Sequence, residues 1–273
     1  MTPGYHALRH SAAWLDLSSR GRILARGRDR ARLLHSLTTN DIKKLTPGQG
    51  CYAFLLNPQG RIQADLCLFC FPDHFLLDTE PELREKLPQY IRRYIIADQV
   101  ELADVTSETA CLALEGPAAP EVLPGPDAPY HHAPWNDASA ARVSVTGQPG
   151  FRIFCAADRK SALIATLESA GAQPATVDDA RAVRIENGIP RYGEDITDTS
   201  LPQETQQLHA VSFAKGCYLG QEIVERIRAR GHVNRKLVRL ELDSTPAPEG
   251  AQITSTVQSP ESGKTIALAY VRA

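Results

Sequence analysis

Phe213-Ala214-Lys215-Gly216-Cys217-Tyr218-Leu219-Gly220-Gln221-Glu222 is the most unusual stretch of the chain, with two glycines flanking a cysteine. The glycines permit a tight backbone path. A helix-like run follows over Gln221–Arg230, with Ile223, Val224 and Ile227 on one side. Cys217 thus falls just before a helix N-terminus, with Lys215 two positions away. The positive helix end and a nearby ammonium both favour a thiolate, which serves as nucleophile, metal ligand or redox group. Against this stands the plainer reading, since a lone cysteine is more often a buried, inert filler. Spacing alone favours the filler.

Upstream of this stretch, residues 178–187 read as a helix stopped by Gly188 and Pro190, and residues 161–170 as another ended by Gly171. Strands are expected at 141–145 and 151–156 around a 147–150 turn. Residues 116–137 hold many prolines and little periodicity, which reads as a linker or long loop. Further back, 22–25 suggests a short strand, and 29–37 a helix with Leu33, Leu34 and Leu37 on one face. The strands at 51–56 and 61–71, joined by Asn57-Pro58-Gln59-Gly60, look like a hairpin. A third strand at 75–78, a helix over 80–94 and strands at 100–105 and 111–114 complete an α+β pattern. Downstream, 236–242 and 266–271 are strand-like and form a small all-β module that must lean on the rest of the chain.

A chain of 273 residues has room for two or three compact units. A net charge of −2 gives no electrostatic reason to seek nucleic acid. The arginine-rich segment of Arg20, Arg22, Arg26, Arg28, Arg30 and Arg32 lacks interleaved aromatics and reads as a solvated face. No apolar run is long enough to span a membrane and no signal peptide is visible, so a cytoplasmic address is expected. The six cysteines, Cys51, Cys67, Cys70, Cys111, Cys155 and Cys217, are scattered, which fits a reducing compartment. Cys67 and Cys70 lack the second pair or spaced histidines that a zinc site needs, so no metal is expected.

The octapeptide from Lys215 to Glu222 resembles the signature Lys-Gly-Cys-Tyr-x-Gly-Gln-Glu of the YgfZ/GcvT-like folate-binding family, with every fixed position met. That family includes iron–sulfur assembly factors and proteins tied to tRNA modification. Leu37-Thr38-Thr39-Asn40-Asp41 with Pro47-Gly48-Gln49 resembles its N-terminal motif, and Leu56-Asn57-Pro58-Gln59-Gly60-Arg61-Ile62 its next hairpin. Arg184-Ile185-Glu186-Asn187-Gly188-Ile189-Pro190 resembles the helix end that faces folate, and Ser259-Pro260 with 266–271 the closing β-barrel. The likeness covers nearly the whole chain.

The resemblance implies an aminomethyltransferase-like ring of two α+β units and a short C-terminal β-barrel around bound tetrahydrofolate. The expected divisions are 1–46 plus 140–234 as the folate-binding unit, 47–115 as the second unit, 116–139 as linker and 235–273 as barrel. It implies that Cys217 and Lys215 carry the chemistry. It also implies that Glu186, Tyr218, Gln221, Glu222, Arg226 and Arg230 hold the cofactor. A carboxylate at Glu186 would accept two pterin N–H groups in plane. Arg226 and Arg230 would meet the carboxylates of the folate tail, or equally pair with Glu222 and Glu225 as surface charges.

The aminomethyltransferases of this fold use an aspartate after a strand in the second unit. No clear aspartate falls in the matching place after Lys86 here, and Asp78 and Glu85 are the possible substitutes. Without that acid–base group the expectation is a folate-dependent accessory protein for iron–sulfur clients. A folate-dependent transferase acting on a small amine and a non-catalytic scaffold are the alternatives.

Overall fold

The computed structural model describes residues 1–243 and 246–273. Helix α1 (Pro3–His10) precedes strands β1 (Ala13–Asp16) and β2 (Gly21–Arg26), and helix α2 (Arg30–Leu37) precedes β3 (Gly50–Leu56), β4 (Ile62–Cys70) and β5 (His74–Thr79). Helix α3 (Lys86–Arg92) leads into β6 (Glu101–Asp104), β7 (Thr109–Glu115) and the one-turn α4 (Ala119–Val122). Next come β8 (His132–Trp135), β9 (Ala138–Ala141), β10 (Gly150–Ala156), α5 (Lys160–Ser169), β11 (Gln173–Pro174) and α6 (Val177–Glu186). Helix α7 (Gln221–Arg230) and strands β12 (Arg235–Glu241), β13 (Gln252–Gln258) and β14 (Thr265–Arg272) end the described chain. No helix among the described residues is long and apolar enough to cross a membrane.

Contacts group the chain into two units, one of residues 1–19, 107–190 and 238–269, the other of 20–106, 191–237 and 270–273. The second unit holds an antiparallel sheet in the order β3-β4-β5-β2-β6. Strand β4 is buried along nearly its whole length, which suits a strand flanked on both edges. Ile23, Phe54, Leu55, Leu68 and Leu77 of the sheet pack with Leu33, Leu34 and Leu37 of α2 and with Leu87 and Ile91 of α3. Each such side chain contributes about 1.5–3 kcal/mol on full burial.

The first unit has the sheet β11-β1-β7-β10-β9-β8, with Leu112, Leu114, Phe151 and Ile153 packing on Leu163 and Leu167 of α5. On this unit α1 packs against α6 through Tyr5, Leu8, Ala180 and Val183.

Several expectations change. Helix α1 is unannounced in the sequence because Pro3-Gly4 looks like a breaker. In fact Pro3 opens the helix behind the N-cap Thr2, whose side chain accepts from the Tyr5 N–H at 3.1 Å. The expected linker 116–139 carries α4 and the hairpin β8–β9, with Trp135 opposite Ala138. The expected helix over 80–94 shrinks to α3 behind a 3₁₀ turn at Pro81–Leu83. The expected unit 1–46 divides at residue 19, because β2 pairs with β5 and β6. The expected terminal barrel is, among the described residues, an open three-stranded sheet in the order β12-β14-β13.

Candidate functional site

In the second unit the loop before α7 splits the two residues first assigned to chemistry. Lys215 turns inward. Its ammonium donates to the carbonyl oxygens of His35, of Thr38 at 2.6 Å and of Asn40 at 2.8 Å. These carbonyls lie at the exit of α2, where a helix leaves acceptors unfilled, so Lys215 closes that end with all three of its donors. Burial pulls it down to about 8, against the opposing pull of Asp41. Cys217 turns outward and is exposed, whereas the other five cysteines are buried.

Gly220 sets the path of the loop. It has φ +81°, and a Cβ there would come within 2.6 Å of the Asn57 carbonyl oxygen. Gly60, at φ +73°, faces Ile223 of α7 in the same way, with 2.8 Å to a built Cβ. The octapeptide and the Asn57–Gly60 turn are thus packed glycine to glycine. Tyr218 is buried beneath the Lys215 ammonium, 4.9 Å from its ring centre, and its hydroxyl has no hydrogen-bond partner among the described residues. On α7, Arg226 pairs with Glu222 at 2.7 Å and Arg228 with Glu225 at 3.4 Å, all four at the surface. Gln221 opens the helix, and Arg230 stands exposed in its last turn.

A residue outside the expected set has the most unusual chemistry. Asp65 lies in the middle of β4 and is only 8% exposed. Its Oδ2 accepts the Tyr52 hydroxyl at 2.7 Å, while its Oδ1 is buried with no hydrogen-bond partner among the described residues. Burial and then the Glu80 carboxylate push Asp65 up to about 7, with the Tyr52 hydrogen bond, Arg20 and Arg191 pulling back. A carboxyl poised near neutrality suits a group that takes and returns a proton. Tyr52 stacks on His209 at 5.4 Å between ring centres, and the Asn40 side-chain amide donates to the carbonyls of both residues.

This buried carboxyl stands on the second strand of the hairpin, away from the window after Lys86. Asp78 is held by the Arg20 guanidinium, with Nε 3.0 Å from Oδ1, and Glu85 is exposed. An acid inside the run Ile62-Gln63-Ala64-Asp65-Leu66-Cys67 was the available signal, because ionisable groups are seldom fully buried without purpose.

In the first unit Glu186 ends α6, with its side chain largely buried. Both of its carboxylate oxygens accept the Tyr5 hydroxyl, at 2.7 and 2.8 Å. Its backbone carbonyl accepts from Arg239 Nε at 2.7 Å, and Arg9 Nη1 lies 3.9 Å from Oε2.

The sequence profile of the GCVT N-terminal domain matches residues 2–215, so the cysteine loop lies just past the matched region. An aminomethyltransferase of Rubrobacter xylanophilus is 32% identical, over 98% of this chain and 78% of that protein. One from Geobacillus kaustophilus is 31% identical, over 98% and 81% respectively. The crystal structure of the glycine cleavage system aminomethyltransferase T from Bartonella henselae superposes with a TM-score of 0.85 at 22% identity, covering 98% of this chain and 80% of that one. That likeness shows the shared fold.

Proposed function

Because the chain belongs to the GCVT N-terminal domain family, we propose that it binds tetrahydrofolate and carries out folate-dependent transfer of an aminomethyl or related one-carbon group. The observation that carries this reading is the buried, unpartnered Oδ1 of Asp65 in a carboxyl pushed up to about 7. Tetrahydrofolate supplies the nitrogen atoms that carry a one-carbon unit. Asp65 holds or releases a proton at Oδ1, and Tyr52 fixes the other oxygen so that Oδ1 keeps its aim. Glu186 receives N–H groups of the pterin, and the exposed Arg230 is the cation left to meet a tail carboxylate. Calorimetry with tetrahydrofolate, followed by an assay of transfer from aminomethyl donors, tests the reading. Micromolar binding with turnover supports it, and the absence of binding at millimolar ligand rejects it in favour of a scaffold.

The second reading, folate-dependent support of iron–sulfur enzymes in the cytoplasm, draws on the exposure of Cys217 beside a motif packed for shape. Client or assembly proteins would meet that thiol at the surface. Cys217→Ala should fold normally yet fail to rescue cells defective in cluster enzymes. Full rescue by that variant removes the thiol from the mechanism.

A further inference from the structure

The Glu186 carboxylate is not open in the way that two in-plane acceptors would be. Tyr5 is 1% exposed, and its one hydroxyl hydrogen is shared between Oε1 at 2.7 Å and Oε2 at 2.8 Å. Burial first, and then the neighbouring Glu186, raise Tyr5 well above the ordinary phenol range, so it stays a donor. A carboxylate offers about four lone-pair positions, and a donor equidistant from both oxygens takes the inner two. The outer two remain. Arg9 lies on the Oε2 side at 3.9 Å but is committed to Asn187 at 3.2 Å and to Glu261 at 2.9 Å.

The Tyr5 hydroxyl is also held in place. A Cβ on Gly4 would sit 2.7 Å from the backbone of Pro174 and Ala175, so α1 presses directly on the chain that enters α6. The Thr2 hydroxyl bonds Asp179 at the start of α6, and Asp179 in turn closes the Thr176 capping box. The first turn of α1 is therefore fixed to the start of α6, and Tyr5 is buried where that turn packs.

Resting on the folate reading above, we propose that Tyr5 is the positioning residue for Glu186. It fills the space between the carboxylate oxygens and turns their outer lone pairs, that of Oε1 first, toward the N–H groups of a pterin. A ligand donor is then received singly on an outer lone pair and not as a fork on both oxygens. Tyr5 touches no ligand and acts only through Glu186.

A double-mutant cycle tests this, with tetrahydrofolate binding measured by calorimetry at a temperature where each variant is fully folded by thermal melt. Tyr5→Phe keeps the packed ring and deletes the hydroxyl. It should weaken binding about tenfold, because the ligand's hydrogen bond to the charged carboxylate is then no longer well aimed. In the Glu186→Gln background the same change should weaken binding less than about twofold, because the carboxylate it orients is gone. Equal losses in both backgrounds would make Tyr5 a general packing residue and overturn the proposal, as would undiminished binding by Tyr5→Phe alone. Should Glu186→Gln bind too weakly to titrate, the single variant decides on those same terms. Failure of the wild-type protein to bind tetrahydrofolate appears before any variant is made, and it defeats the folate reading itself.

Discussion

Asp65 and Glu115 are both buried acids on strands, one in each unit, and they have opposite surroundings. Glu115, fully buried at the end of β7, accepts from the Ser144 hydroxyl at 2.7 Å and from the N–H groups of Val145 at 2.7 Å and Thr146 at 3.0 Å. The Thr146 hydroxyl adds a fourth donor. Asp65 has the Tyr52 hydroxyl on one oxygen and, among the described residues, no hydrogen-bond partner on the other. Burial is common to both. What separates a structural carboxylate from a reactive one is whether its environment supplies enough donors to make the charge comfortable. Around Glu115 the chain has folded a loop for that purpose, whereas around Asp65 it leaves one acceptor open.

The largest effect should come from removing the Asp65 carboxyl. Asp65→Asn keeps the shape and the Tyr52 contact but cannot exchange a proton. Folate-dependent transfer should fall about 10²–10⁴-fold while the protein stays folded. Transfer within threefold of wild type would place Asp65 with Glu115 as a structural group and erase the contrast. The complementary change comes next in size. Glu115→Ala strands the N–H groups of Val145 and Thr146 in a buried loop. It should lower the unfolding free energy in urea by about 2–5 kcal/mol. A loss below about 1 kcal/mol would mean that the loop finds other partners and that Glu115 is no anchor.

Some of this was legible in the sequence and some was not, for identifiable reasons. Helix α7 runs over the very residues its apolar spacing indicates, because Gly220 and Gly231, both in the left-handed region, bound it locally. The hairpin β3–β4 announces itself through Asn57-Pro58-Gln59-Gly60, where local turn chemistry suffices. Strands β8 and β9 hide among prolines and alanines and owe their form to pairing with each other and, through β9, with β10. The anchoring of Lys215 is hidden in the sequence because only the fold reveals the carbonyls it fills, which belong to residues 35, 38 and 40, far away in sequence. Asp65 is harder to read for the opposite reason. Its place in an apolar strand is visible in the sequence, but the lack of a partner on Oδ1 among the described residues is visible only in the fold.

The smallest effect concerns the hydrogen bond from Tyr52 to the Asp65 carboxyl. In the folded protein this carboxyl titrates near 7, and in the unfolded chain it returns to about 4. Between those values the folded state binds a proton that the unfolded state has released, so this group's contribution to stability falls as pH rises from about 4 to about 7. Above that window both states are ionised and the full penalty of the buried charge is present. Asp65→Asn should lack this component, so its advantage over wild type should grow across the window and then level off. Tyr52→Phe acts in the other direction. The Tyr52 hydroxyl favours the ionised form, so its removal lets Asp65 protonate at higher pH and extends the falling limb beyond 7. It should also cost about 1 kcal/mol for the lost bond. Urea midpoints for the three proteins from pH 4 to 9 contain the answer. Parallel curves for wild type and Asp65→Asn would show a carboxyl whose burial adds nothing to the pH dependence of stability. An unmoved limb in Tyr52→Phe would show that the phenol merely packs beside an acid whose pH response is set by burial and Glu80.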